Sequence, residues 1–287
     1  MSSRTLRLVR ALEGLEKPVG GEVGELAEVA GLNKVLLGFL RSAGVEGEAR
    51  RREEERYKWF RSVVGEVAGA LRGLDYALHK FRKPVEHVSV DVDVLVNTRQ
   101  LPEAVKRLAS RGFRVEVWEK YTVTMTRGRA IVDLYTHPSF AWVVYLDGEE
   151  LLECCTEEFE WEGLELRGLT REAEVVVTAA HAVYKEHVYL LADYFTVRRW
   201  LNKRALELAR ELGVGDSLKI SVCLNKLVDD GLVELPAKIP VSYLAGAYAH
   251  KLFRDNVFRS TLFNALEYLL TERAGRSVKW RLTRVSY

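Results

Sequence analysis

Three aspartates stand where aspartate is out of place. Two lie in His87-Val-Ser-Val-Asp91-Val-Asp93-Val-Leu-Val96, whose alternation of apolar and polar residues reads as a strand. Side chains two apart on a strand share a face, so Asp91 and Asp93 point the same way, one pleat repeat apart. Aspartate is disfavoured in strands, and two carboxylates on one face repel unless a cation neutralises them. Such a pair suits magnesium, which takes a few carboxylates and fills its shell with substrate phosphates. Asp133, inside Ala130-Ile-Val-Asp133-Leu-Tyr135, is a third acid on an apolar strand. Two ions roughly 3.5–4 Å apart between such carboxylates would stabilise the attacking and leaving oxygens of a phosphoryl displacement. The bland alternative makes Ser89, Asp91 and Asp93 the solvent face of a half-exposed strand with valines in the core. Asp133 on a second apolar strand favours the metal.

The elements that must position these acids follow from hydrophobic period. Residues 1 to about 74 read as helices, from Leu6, Leu8, Val9 and Leu12, then from Leu26 through Leu40. A charged run from Gly47 to Phe60 opens a third helix that continues to Gly73, and its mixed signs mark a solvated face. The period then shortens to 2. Strands are expected at Tyr76–Phe81, His87–Val96, Phe113–Trp118, Tyr121–Arg127 and Ala130–Tyr135, with a helix at Pro102–Arg111 stopped by Gly112. Glu158–Trp161 and Leu164–Leu166 form a hairpin about Gly163. From Thr170, a plausible N-cap without a capping box, the chain is helical again. The architecture is α+β: a small mixed sheet at 75–168 between helical regions at 1–74 and 169–287.

The pattern of two aspartates on one strand and a third 40 residues on resembles the DNA-polymerase-β-type nucleotidyltransferase superfamily. More narrowly, it is similar to an uncharacterised branch in which a helical lead-in precedes a lysine-glycine motif and the Asp-x-Asp strand. Ala27–Gly44 looks like that lead-in, and Leu101–Gly112 like the helix after the metal strand. Asp133-Leu-Tyr-Thr-His137, Ala180-His-Ala-Val-Tyr-Lys-Glu-His187 and Leu191-Ala-Asp-Tyr194 extend the likeness over about residues 25 to 202. The resemblance implies transfer of a nucleoside monophosphate from an NTP, ATP among them, to a hydroxyl, with Mg²⁺ or Mn²⁺ on Asp91, Asp93 and Asp133. It makes Asp133 the candidate to accept the hydroxyl's proton.

The chain departs from the family at the phosphate-gripping turn. Glycines there let backbone N–H groups approach a triphosphate. Here the turn is His79-Lys80-Phe81-Arg82-Lys83-Pro84: Lys80 keeps the lysine position, Phe81 replaces the glycine, and His87 stands where arginine is usual. Arg82 and Lys83 would then contact phosphate by charge, with Ser89, His181 and Lys185 as further nucleotide-binding candidates. The rival class is a catalytically silent binding protein that keeps the scaffold and binds RNA or a protein partner. Splayed carboxylates, or Phe81 filling the triphosphate site, would favour it.

Other signals are set aside or kept as lesser expectations. Glu25–Val45 has the cadence of a DNA-binding helix-turn-helix, but Val35, Leu36, Leu37, Phe39 and Leu40 on its second helix suit core packing. His181 and His187 are six apart, not the i, i+4 spacing of a helical metal pair. Arg276, Lys279, Trp280 and Arg281 interleave base and aromatic, a pattern suited to an RNA or tRNA acceptor. The 287 residues carry 43 Lys and Arg against 41 acids, so net charge decides nothing about partners. Cys154, Cys155 and Cys223 form no C-x-x-C pair, and adjacent cysteines do not readily bridge, so neither a disulfide framework nor structural zinc is expected. No uncharged stretch approaches the roughly 18 residues of a membrane span, which suggests a soluble, cytoplasmic protein. One glutamine and two methionines beside abundant ionic side chains suggest a protein that works hot.

Overall fold

The computed structural model describes residues 3–271 and Ser286. Four helices lead: α1 (Arg4–Leu12), α2 (Glu22–Leu32), α3 (Leu36–Ser42) and the long α4 (Glu48–Leu71). The charged opening of α4 is stitched by Glu48 to Arg51 and Arg52 and by Glu54 to Arg50 and to Arg41 of α3, as a solvated face should be. Then come β1 (Tyr76–Leu78), β2 (Val92–Val96), α5 (Leu101–Ser110), β3 (Arg114–Trp118), β4 (Thr122–Arg127) and β5 (Ala130–Tyr135). A tiny hairpin, β6 (Ser139–Phe140) with β7 (Val143–Val144), precedes α6 (Gly148–Cys154), β8 (Thr156–Trp161) and β9 (Leu164–Leu169).

Seven of these strands form one mixed sheet in the order β3-β4-β5-β2-β1-β9-β8. β2 runs parallel to β5, and β1 parallel to β9; the other neighbours are antiparallel. Helices follow: α7 (Arg171–His181), a π turn over Ala182–Glu186, α8 (Leu191–Trp200), α9 (Lys203–Glu211) and α10 (Gly215–Asp229). A short strand pair, β10 (Val188–Tyr189) with β11 (Ala237–Lys238), leads to α11 (Val241–Arg254), α12 (Asn256–Thr261) and α13 (Asn264–Leu269). The architecture is the expected α+β, a mixed sheet between helical regions. Arg276, Lys279, Trp280 and Arg281, expected to suit an RNA acceptor, lie outside the described residues. Among the described residues, no helix is long and apolar enough to cross a membrane.

Strand alternation splits the core in two. Val92, Val94, Val96, Val132 and Leu134 face α4 and α5, packing with Phe60, Val64 and Leu108. The opposite face carries Ala77, Leu95 and Tyr135 against α7, α8 and the first three helices. Val35, Leu37, Phe39 and Leu40 are at most 1% exposed, so the helix-turn-helix cadence serves packing.

Several boundaries differ from expectation, each for a local reason. β1 stops at Leu78 because Lys80 takes a left-handed backbone, φ 55°, which ends a strand. β2 starts at Val92, leaving His79–Asp91 as an excursion over α3. Gly38 of α3 receives it: its N–H donates to Glu86 O at 3.0 Å, and a Cβ there would meet Val85 Cγ1 at 2.6 Å. α6 was not foreseen, although Asp147 caps it by accepting from the N–H groups of Glu149 and Glu150. Cys154 and Cys155 do bridge each other, correcting the expectation for adjacent cysteines. The pair sits where α6 ends, and Cys155 has left helical geometry at φ −137°, ψ 28°.

Candidate active site

Register assembles the acids. The parallel β2–β5 pairing sets Asp93 directly beside Asp133, and the β4–β5 pairing sets Asp133 beside Thr124. Their flanking residues, Val92, Val94, Val132 and Leu134, are buried on the other face, so alternation leaves both carboxylates on the cleft side. Asp91 comes in from the residue just ahead of β2. One oxygen from each of Asp91, Asp93 and Asp133 lies within 4.8 Å of the others. The cleft above them has a volume of about 420 Å³.

Each carboxylate has a different environment. Asp91 Oδ1 accepts from Ser89 Oγ at 3.0 Å. Asp93 Oδ2 meets Lys80 Nζ at 2.9 Å, while its Oδ1 is buried with no hydrogen-bond partner. Burial alone would push the Asp93 carboxyl up, yet Lys80 and the other cations around it hold it well below the usual range. Asp133 Oδ1 accepts from Thr124 Oγ1 at 2.6 Å and Oδ2 from Tyr135 Oη at 3.4 Å. Burial, reinforced by the neighbouring Asp93 charge, pushes Asp133 up to about 6. A buried carboxylate oxygen without a partner, beside two more carboxylates, is what a hard oxygen-seeking cation relieves. The donor set fits Mg²⁺ or Mn²⁺.

The turn opposite is built in an unforeseen way. Lys80 carries the positive φ, and its ammonium reaches Asp93; burial opposes its charge, but the aspartates raise it above its ordinary value. Phe81 points away from the cleft into the α4 core, against Phe60, Phe159 and Trp161, with ring centroids 4.9 to 6.2 Å apart. Its ring therefore does not fill the cleft. The backbone N–H groups of Phe81 and Arg82 both donate to Glu174 Oε1, at 3.0 and 3.2 Å. Glu174, on the first turn of α7, is fully buried, and burial pushes it up to about 7. The protein's own carboxylate thus occupies the amides that such a turn would offer to phosphate. Arg82 leaves the cleft for Glu157, Leu169 O and the Phe159 ring. Lys83 stays, its Nζ donating to Thr178 Oγ1 at 3.0 Å, with burial lowering it below its ordinary value.

The helical half closes the cleft. Thr170 caps α7, as expected, by accepting from Ala173 N at 3.3 Å. After His181 the helix widens into its π turn, ending at His187 with φ 58°. A regular helix would place Lys185 on the His181 face. The wider turn instead brings Glu186 to His181 Nε2 at 3.2 Å and sends Lys185 to Tyr135 Oη at 3.4 Å. His181 Nδ1 lies 3.3 Å from Tyr145 Oη, and burial keeps its ring neutral, well below its ordinary pKa. His87, where the family's arginine would be, lines the cleft and is pushed down to about 3 by burial. His187 turns to Tyr248 Oη at 3.2 Å.

Of the residues named from sequence, Asp91, Asp93, Asp133, Lys80, Lys83, Ser89, His181 and Lys185 line one cleft; Arg82 does not. Sequence reasoning missed Lys34 and Glu174. Lys34 follows α2 with φ 58° and lines the same cleft. Asn33, fully buried, holds it in place: Nδ2 donates to Val29 O and Leu235 O, and Oδ1 accepts from Leu191 N. Nothing in the local sequence pattern gives Lys34 or Glu174 a place in this cleft.

No protein-family model matches the chain, and no curated protein matches it. Solved structures of ANT(2″)-Ia are similar to it. One, a crystal structure in complex with adenylyl-2″-tobramycin, gives a TM-score of 0.35 at 14% identity over 58% of this chain and 97% of its own. Another, a solution structure of the same antibiotic-resistance factor, gives 0.34 at 16% identity over 60% and 93%. Likeness this slight carries no functional weight; the side chains in the cleft do.

Proposed function

We propose that the chain is a metal-dependent nucleotidyltransferase, moving a nucleoside monophosphate from an NTP to a hydroxyl with release of pyrophosphate. One observation carries the reading: two carboxylates from adjacent strands and a third from the residue ahead of β2 converge within 4.8 Å at the floor of a lysine-lined cleft. Asp91, Asp93 and Asp133 would hold Mg²⁺ or Mn²⁺, whose charge offsets that developing on the transferred phosphoryl group. Lys80, Lys83 and Lys185 neutralise and align the phosphates. Asp133, on the cleft side beside the other two carboxylates, accepts the proton of the incoming hydroxyl. The acceptor would be an RNA or tRNA end, a protein side chain or a small molecule, with Arg276, Lys279 and Arg281 around Trp280 suited to RNA.

The silent-scaffold alternative has one observation of its own. Glu174 already occupies the amides of the turn, so the backbone grip on phosphate is spent internally. Convergent carboxylates and the inward packing of Phe81 favour the enzyme. Calorimetry with each NTP, with and without Mg²⁺, on wild type and Asp93→Asn separates the two. Metal-dependent binding lost in the variant supports the enzyme; a folded wild type that binds no NTP sinks it.

A further inference from the structure

We infer that Lys34, supplied by the N-terminal helices, is a triphosphate-binding residue of this cleft, supplying part of the anion neutralisation that a glycine turn's amides would give. The inference rests on the nucleotidyltransferase reading. Its starting point is the turn. Both N–H groups that could grip phosphate, on Phe81 and Arg82, are engaged by Glu174, and Arg82 itself is directed to Glu157 on the far side. A triphosphate entering here must therefore be matched by ammonium groups. Lys80 is partly committed to Asp93, and Lys83 and Lys185 come from the turn and the π turn.

Lys34 is the cation that the sheet and the C-terminal helices do not provide. It lies on the cleft wall with Asp91 and Lys80, and its backbone is held left-handed at φ 58°, a conformation that a non-glycine side chain adopts only under constraint. The constraint is visible. Asn33, one residue earlier, is bonded to Val29, Leu235 and Leu191, so the junction of α2 and α3 is locked to the start of α8, whose neighbouring Leu190 and Ala192 line the cleft, and to the segment at Leu235. A lysine fixed at a strained junction and facing a site for polyanions is a positioned charge, unlike a mobile surface lysine.

The test uses the full chain. Lys34→Asn and Lys34→Gly both accept the left-handed backbone while removing the charge. Binding of ATP, GTP, CTP and UTP with Mg²⁺, of the matching monophosphate, and of inorganic triphosphate is measured by calorimetry, with thermal melts confirming the fold. Expected is a loss of roughly tenfold or more for the NTP and for inorganic triphosphate, little change for the monophosphate, and recovery in Lys34→Arg. Equal NTP affinity in wild type and both variants overturns this inference alone, as does an equal loss for NTP and monophosphate. Wild type that binds no NTP overturns the nucleotidyltransferase reading, and this inference with it.

Discussion

The two walls of the cleft are made by different means. The carboxylate wall is a product of strand register: adjacent parallel strands set Asp93 beside Asp133, and valines on the reverse face fix which way they point. The lysine wall has no such regularity. Lys34, Lys80, Lys83 and Lys185 arrive from a helix junction, an irregular turn and a π turn, two of them at or beside left-handed residues. A regular element places a pair of side chains at low cost because every residue helps hold the geometry. An irregular wall needs a separate anchor for each group: Asn33 for Lys34, Glu174 for the turn, Tyr135 for Lys185. The carboxylate wall is positioned by strand register, and the lysine wall by local bonding.

If the strand wall performs the chemistry and the lysine wall only binds, substitutions should separate rate from affinity. The largest effect belongs to Asp133→Asn, which removes the proposed base. Pyrophosphate release should fall roughly 10²–10⁴-fold beyond the loss of metal-dependent NTP affinity that a changed metal ligand brings. Equal losses in both would make Asp133 a metal ligand and not the base. Next is Phe81→Ala. It empties a site packed by Phe60, Phe159 and Trp161 and should cost about 3–5 kcal/mol in urea unfolding, with NTP affinity near wild type. A marked gain in NTP binding would put the ring in the triphosphate volume after all.

Glu174→Gln sharpens the account of the turn. The glutamine Oε1 can still accept both amides, but the buried charge is gone. Glu174 binds its proton more tightly folded, to about pH 7, than unfolded, near 4.5. The folded state therefore holds more protons between those values, so this carboxyl's contribution is greatest below about pH 4.5 and is lost as pH rises through 7. His79 and His87, pushed down to about 3 by burial, act in the opposite direction between about pH 3 and 6.5. The difference between variant and wild type cancels them. Glu174→Gln should gain roughly 2–3 kcal/mol relative to wild type between pH 5 and 8, measured by denaturant melts across that range. A flat difference would mean that the neighbouring Lys83 charge, which opposes the upward push on Glu174, compensates the carboxylate.

The smallest effect is expected for Arg82→Ala. Its guanidinium lies over Phe159 and meets Glu157, so stability should change by only about 1 kcal/mol and NTP affinity by less than roughly threefold. A tenfold loss would place Arg82 in the cleft during turnover.

Legibility in the sequence follows the same divide. Asp93 and Asp133 were readable because a period of 2 needs only neighbours along the chain. Asp91 was read as a strand residue, but Lys80 and the excursion after it delay β2 to Val92, so it joins from the strand's approach. The helix from Thr170 was read with its cap, and His181 and Lys185 do line one cleft, but the π turn that brings Glu186 to His181 went unread, because periodicity assumes a constant 3.6. Phe81 was visible as a departure from glycine; that its ring faces α4 depended on Phe60, Phe159 and Trp161, which lie far away in sequence. Lys34 had no legible role, since its setting is made by Leu191 and Leu235, about 160 and 200 residues later.

Asn33 also constrains how this sequence can drift. Its amide serves three partners at once, so no other side chain can inherit the position. Aspartate would keep the bond from Leu191 N and lose both donations; leucine would strand Leu235 O and Leu191 N, each worth about 1–3 kcal/mol when buried, while Val29 O would keep the backbone N–H of position 33. The surfaces of α1 to α3 are free to change around it. In any lineage that keeps this cleft, the junction beside Lys34 should stay frozen at one residue while the helices on either side diverge.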